Sequence, residues 1–102
     1  MSVLKISEEN FEEEVMKSEK PVILDFYADW CGPCKMLGPI LEEISSDYKV
    51  VKINVDEHED LARKYGIMSI PTVMIFKDGE SKKTLVGFMP KEKLLSEIKE
   101  LW

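Results

Sequence analysis

The sequence predicts an α/β domain with a mixed central β-sheet flanked by helices on both faces. Short apolar runs typical of strands alternate with segments whose apolar residues recur at helical spacing, which favours parallel strands joined by helices. Near the end of the chain, an Asp-Gly pair between two strand-like runs indicates an antiparallel hairpin. The predicted order of elements is therefore βαβαβαββα.

The first strand and the first helix are predicted close to the start of the chain. Val3–Ile6 forms a short apolar run, and Ser7 is a residue type that caps helix N-termini. Because Phe11 and Val15 are four residues apart and share one helical face, we expect the helix to continue to about Lys17.

The second strand and the second helix surround the two cysteines. Val22–Tyr27 is almost continuously apolar, as expected of a strand covered on both faces. The helix is predicted to begin at Cys31 or Cys34 and to end near Ser46, with a bend at Pro39. The apolar residues at helical spacing are Leu37, Ile40, Leu41 and Ile44.

The third strand, Val50–Val55, precedes a short helix at Asp60–Tyr65 that Gly66 closes. Thr72–Phe76 and Thr84–Val86 are then predicted to pair as a hairpin. A last helix is expected to start at Pro90. Its buried side is predicted to carry Leu94, Leu95, Ile98 and Leu101.

Length and composition limit the classes of function. A chain of 102 residues fits one domain, so we interpret residues 1–102 as a single domain. The net charge of −6 disfavours nucleic-acid binding, which requires a basic face. No apolar stretch approaches the roughly 18 residues that span a bilayer, and residues 1–9 lack the apolar core of a signal peptide. We therefore expect a cytoplasmic monomer without membrane or nucleic-acid partners.

The two cysteines, Cys31 and Cys34, lie three residues apart at a predicted strand-to-helix junction. Helical residues at this spacing have Cβ atoms roughly 5–6 Å apart, whereas a disulfide requires about 3.8 Å. A disulfide can therefore form only with local distortion, and it should be easily reduced. Because so short a loop contributes only about 2 kcal/mol to stability, redox exchange explains the pair better than stabilisation does.

The positions of the two cysteines predict different roles. Cys31 is expected at the helix N-terminus, where free N–H groups and the helix dipole favour the thiolate that attacks disulfides. Cys34 is expected to be more buried and to resolve the mixed disulfide. Pro33 fits the first helical turn because it needs no N–H partner, and Gly32 leaves the approach to Cys31 open.

Two alternatives exist for the cysteine pair, a zinc half-site and two structural thiols. Zinc normally takes four ligands, and His58 is the only other Cys or His in the chain. A zinc site would therefore have to bridge two copies of the protein.

Two charged residues, Asp25 and Lys52, stand inside apolar strands. Burial is costly for each charge unless it is paired, so neighbouring strands would let each offset the other. A buried Asp25 beneath the cysteines could take the proton of Cys34 as a general base. The alternative is that both side chains point to a solvated edge.

Pro71 occupies the first position of a predicted strand, where proline is tolerated. A cis bond before Pro71 would be a deliberate feature, although the general frequency of X–Pro bonds favours trans.

Taken together, these residues resemble the thioredoxin family in order and spacing across the whole chain. The matching positions are Asp25, Trp30-Cys31-Gly32-Pro33-Cys34-Lys35, Pro39, Ile70-Pro71-Thr72 and Gly87. The resemblance implies the thioredoxin fold and a disulfide reductase for protein substrates, in which Cys31 attacks, Cys34 resolves, Asp25 accepts a proton and Lys52 tunes it. It also implies a cis Pro71 facing the disulfide. The implied substrate-docking patch consists of Trp30, Gly32, Pro33, Ile70, Pro71 and Gly87.

The resemblance further implies that the protein needs no bound cofactor or metal. The redox-active disulfide carries the electrons, and an external thioredoxin reductase, NADPH-linked or ferredoxin-linked, supplies them. Two residues depart from the common pattern. Tyr27 stands where many bacterial members carry Trp, and Phe88 adds an aromatic beside the patch, where it could affect substrate preference or pack under the last helix.

Three functions compete on this basis. Gly32 and Pro33 between the cysteines favour a general disulfide reductase over an oxidant or isomerase of the same fold, and the reduction potential distinguishes these. The third is a binding module in which the thiols are incidental. A double Cys→Ser variant would preserve the function of a binding module and abolish that of a redox protein.

Overall fold

Five strands and four helices form within residues 2–101, the part of the chain that this computed structural model describes; Met1 and Trp102 lie outside it. The strands are β1 (Leu4–Lys5), β2 (Val22–Tyr27), β3 (Lys49–Asn54), β4 (Thr72–Lys77) and β5 (Glu80–Val86). The helices are α1 (Glu8–Phe11) with its π-helical continuation (Glu12–Met16), α2 (Gly32–Ile44), α3 (Glu59–Lys64) and α4 (Lys91–Lys99). None of these described helices is long and apolar enough to cross a bilayer.

The strands form one mixed sheet in the order β1–β3–β2–β4–β5. β3 runs parallel to β1 and β2, whereas β4 runs antiparallel to β2 and β5. The internal strands β2, β3 and β4 are mostly buried, which explains their nearly continuous apolar sequences. The predicted mixed sheet with an antiparallel terminal hairpin is therefore confirmed.

Helices cover both faces of the sheet, and alternate residues of β2 contact the two layers. Phe11 of α1 shares one core cluster with Leu24. Leu41 of α2 and Leu94 of α4 share the other cluster with Ile23. Because side chains alternate along a strand, one apolar run fills both cores. The second core supports α2, the helix that carries the cysteines.

Some element boundaries differ from the prediction. β5 begins at Glu80 rather than Thr84, because the hairpin pairs from the turn onward and hydropathy does not register backbone pairing at an exposed edge. β1 is limited to the two residues that pair with β3. The first helix changes to π-helical hydrogen bonding at its end, where the Lys17 N–H donates to the Glu12 carbonyl oxygen at 2.8 Å.

The β4–β5 hairpin turns at Asp78 and Gly79, as predicted. Both residues have positive φ angles, 55° and 77°, which a two-residue turn of primed type requires. Gly79 also lies close to the end of the first helix, because a Cβ atom there would be 3.2 Å from the Met16 carbonyl oxygen.

Candidate active site

The two cysteines lie at the N-terminus of α2 and are joined by a disulfide, with Cα atoms 5.2 Å apart. Cys31 is the N-cap and has extended backbone angles, whereas Gly32 and Pro33 start the helix. The Cys34 N–H donates to Cys31 Sγ at 3.2 Å. A backbone N–H at a helix N-terminus that points at the sulfur favours the thiolate form of Cys31 when the disulfide is reduced.

Both cysteines are buried in this disulfide form. Cys31 is 3% exposed and Cys34 is 6% exposed, so the expectation that Cys34 would be the more buried of the two is wrong here. The reason is that Cys31 is covered from outside its own helix. Its Sγ lies 3.7 Å from the Ile70 carbonyl oxygen, and both cysteines pack with Ala28 in a small apolar cluster.

Three of the predicted patch residues lie on two segments that meet beside the disulfide: Ile70 and Pro71 before β4, and Gly87 after β5. Ile70 contacts Cys31 directly, and the Ile70–Pro71 peptide bond is cis, as the family resemblance implies and against the general preference for trans. The Pro71 carbonyl oxygen accepts a hydrogen bond from the Gly87 N–H at 2.8 Å. Gly87 has a φ of 91°, a conformation that favours glycine.

The other three patch residues adjoin the disulfide along the chain. Trp30 is 70% exposed, and its indole N–H donates to Asp56 Oδ2 at 2.7 Å, which ties the ring to the loop after β3. Gly32 and Pro33 are exposed at the start of α2. Five of the six predicted patch residues therefore lie next to Cys31 along the chain or in the segment that contacts it, and Gly87 joins them through its hydrogen bond to Pro71.

Two further exposed apolar side chains near these segments, Met68 and Met36, were not predicted from the sequence. Met68 is 96% exposed and precedes Ile70 by two residues. Met36 is 60% exposed on α2. Phe88 remains 40% exposed, and the residue that packs into the core under α4 is Met89 rather than Phe88. Methionines in a helix or loop give no sequence signal for exposure, because methionine is among the residues most often buried.

The two charged strand residues are direct neighbours. Asp25 of β2 and Lys52 of β3 occupy the same register position of the parallel pair. Asp25 is 3% exposed and lies in an internal strand, so the alternative that it points to a solvated edge is wrong. Lys52 is half-buried. Asp25 Oδ1 is buried without a hydrogen-bond partner among the described residues.

The environment of Asp25 favours its protonated form. Burial raises the pKa of Asp25 from 3.8 to about 7, and the positive charge of Lys52 opposes part of this rise. Asp25 and Cys34 both line a cavity of ≈210 Å³. This volume is large enough for water molecules. A group with a pKa near 7 can both accept and release a proton under physiological conditions.

The zinc interpretation requires further ligands near the cysteines. Within residues 2–101, no three or more His, Cys, Asp or Glu side chains are grouped so that they could hold a metal ion. His58 lies elsewhere, with its Nδ1 3.4 Å from Glu8 Oε1.

Comparison with known proteins identifies the family. The family model described as Thioredoxin matches residues 2–100. A thioredoxin of Rickettsia bellii is 54% identical, with 91% of this chain and 92% of the relative covered. A thioredoxin of Pyropia yezoensis is 47% identical, with 96% of this chain and 95% of the relative covered. A thioredoxin of Pseudomonas aeruginosa is 45% identical, with 90% of this chain and 89% of the relative covered. The chain therefore belongs to the thioredoxin family and is a thiol–disulfide oxidoreductase, a protein-disulfide reductase with a redox-active Cys31–Cys34 pair.

Proposed function

We propose that this protein reduces disulfides of protein substrates through a division of labour in which Cys31 attacks and Cys34 resolves. The observation that supports it best is the Cys31–Cys34 disulfide at the N-terminus of α2, with the Cys34 N–H directed at Cys31 Sγ. The Cys31 thiolate is thus the sulfur that the helix stabilises.

The reaction proceeds in two exchanges. The Cys31 thiolate attacks one sulfur of the substrate disulfide, which forms a mixed disulfide and releases the first substrate thiolate. Cys34 then loses its proton and attacks Cys31 Sγ, which releases the second substrate thiolate. The substrate gains two electrons, and the protein is left with the Cys31–Cys34 disulfide.

Asp25 is the proposed acceptor of the Cys34 proton, and Lys52 is the charge that tunes it. The cavity that both side chains line also reaches Cys34. A carboxyl group with a pKa of about 7 is matched to a thiol that must lose its proton near neutral pH.

Substrates are proposed to dock as extended segments on the exposed apolar surface around Cys31. The proposed docking patch consists of Trp30, Gly32, Pro33, Ile70, Pro71 and Gly87, of which Pro71 itself is buried. An external thioredoxin reductase, NADPH-linked or ferredoxin-linked, recycles the disulfide, so the chain acts as an electron carrier without a bound cofactor. We further propose that it works in the cytoplasm as a single-domain monomer.

The division of labour can be tested by trapping. Pre-reduced protein is mixed with a disulfide-bonded protein such as insulin, and the released thiols are counted. Wild-type protein should reduce one disulfide per molecule, and Cys34→Ser should accumulate a mixed disulfide through Cys31. Cys31→Ser, the matched control with the same loss of one sulfur, should do neither. Adduct formation by Cys31→Ser instead would reverse the assigned roles.

The reduction potential separates a reductase from an oxidant or isomerase. Thioredoxins have potentials of about −270 mV and disulfide isomerases of about −180 mV. We expect a value near or below about −250 mV from equilibration in thiol buffers with alkylation as readout. A value near about −180 mV would overturn the assignment as a reductase.

A further inference from the structure

Tyr27 is a partly exposed side chain that lines the same cavity as Asp25. It follows Asp25 by two residues on β2, so both side chains project from the same face of the sheet. Tyr27 is half-buried and lines the cavity that contains Asp25, Cys34 and Lys52. The roles proposed above leave this side chain without an assignment.

The Tyr27 ring contacts Lys52, the cation that opposes the effect of burial on Asp25 among the described residues. Lys52 Nζ lies over the ring, 5.2 Å from its centroid, which is within cation–π distance. Such a contact at a partly exposed site favours the bound position of the ammonium by roughly 2- to 5-fold. Lysine has a long flexible side chain, so this preference affects how much of the time its charge stays near the carboxyl group.

A second lysine could compete for the same ring, but it is already paired. Lys5 of β1 occupies the register position next to Lys52. Its Nζ forms a 3.2 Å ion pair with Glu57 Oε1. Glu57 is also the main cause of a raised pKa of Lys5, and the Tyr27 hydroxyl adds to it. The hydroxyl end of Tyr27 therefore faces Lys5, while the ring face is occupied by Lys52.

We propose that Tyr27 is a positioning residue: its ring holds the Lys52 ammonium beside the Asp25 carboxyl group and thereby sets how strongly Lys52 stabilises the carboxylate. This coupling deepens the proposed function, because its importance for reductase activity rests on the role of Asp25 as proton acceptor. The coupling itself is a property of the folded protein and can be measured without turnover.

Other charged or titratable residues line the cavities around Asp25 and must stay constant in a test. Cys34 and Lys35 of α2, together with Asp29 after β2, line the cavity of ≈210 Å³. Glu42 of α2 lines a second cavity of ≈200 Å³ that Asp25 and Lys52 share. From β4, the register partner of Asp25 is the apolar Val73. Substitutions confined to Tyr27 and Lys52 leave all of these groups unchanged.

The test is an NMR titration of the Asp25 carboxyl carbon in the oxidised protein. Tyr27→Leu removes the ring and should raise the pKa of Asp25. Tyr27→Phe, the matched control, keeps the ring and removes only the hydroxyl, so it should raise this pKa by less than half as much. An unchanged pKa in Tyr27→Leu, or equal rises in both variants, would overturn the proposal.

A double-mutant cycle separates charge positioning from packing. Lys52→Met should raise the pKa of Asp25 at least as much as Tyr27→Leu does. In the Lys52→Met background, Tyr27→Leu should add almost no further rise, because no ammonium is left to hold. An equally large rise in that background would show that Tyr27 acts by changing the burial of Asp25, and the proposal would be wrong.

A replacement variant and a pH profile of activity complete the test. If Tyr27→Leu does not fold, Tyr27→Trp replaces it: the indole binds cations more strongly, so the pKa of Asp25 should fall, and a rise would contradict the proposal. The pH profile of reduction by the same variants tests the role of Asp25 separately. A shifted Asp25 titration with an unshifted activity profile would support Tyr27 positioning and overturn the proposed proton transfer.

Discussion

Replacing Asp25 by Asn should stabilise the protein in a pH-dependent way. The pKa of Asp25 is about 7 in the folded protein and 3.8 ordinarily, so the folded state holds this proton more tightly than the unfolded chain does. As the pH rises from about 4 to about 7, Asp25 ionises in the unfolded chain but stays protonated in the folded protein. The free energy of unfolding therefore falls by about 1.4 kcal/mol per pH unit. The total cost is about 4 kcal/mol, and it stays constant above pH 7 because both states are then ionised.

The assay is urea denaturation of oxidised wild-type and Asp25→Asn protein between pH 4 and pH 8. The buried amide carries a pH-independent cost, so the informative quantity is the change with pH in the stability difference between the two proteins. This difference should shift in favour of the variant by about 4 kcal/mol across the range. Asp47→Asn, which makes the same change at an exposed position, is the matched control. A pH-independent difference for Asp25→Asn would refute the reasoning that burial dominates the environment of Asp25.

Three more predictions concern the stability of the fold. Hydrogen bonding from Lys83 is the main cause that lowers the pKa of Glu97 from 4.5 to about 2. Glu97→Gln should therefore reduce the free energy of unfolding at neutral pH. Urea titrations should show that this loss of stability disappears as the pH falls from 4.5 to about 2. Gly79→Ala should lower the free energy of unfolding by roughly 1–2 kcal/mol because of its positive φ. Gly38→Ala lies inside α2, and no atom lies within 4 Å of the added Cβ. It should raise the free energy of unfolding by about 1 kcal/mol in the same urea assay. A change of the same sign in Gly79→Ala and Gly38→Ala would contradict this reasoning.

The chemistry of the site could be predicted where it depends on residues close in sequence. Cys31 and Cys34 are three residues apart at a helix start, and this spacing alone indicates a reversible disulfide. The pairing of Asp25 with Lys52 was predictable only on the condition that their strands are neighbours, and the register of β2 and β3 meets that condition. The relative burial of the cysteines was not predictable, since Ile70, which covers Cys31, lies 39 residues away in the chain.

The sequence by itself determined the alternation of strands and helices, the hairpin turn and the identity of the redox pair, because periodicity, turn chemistry and short spacing are local properties. The tertiary structure alone decided which segments meet. The hydrogen bond from Gly87 to Pro71 and the position of Lys52 over the Tyr27 ring join separate segments of the chain. Such contacts depend on strand order and register, which arise from the packing of the whole sheet rather than from any single stretch of residues.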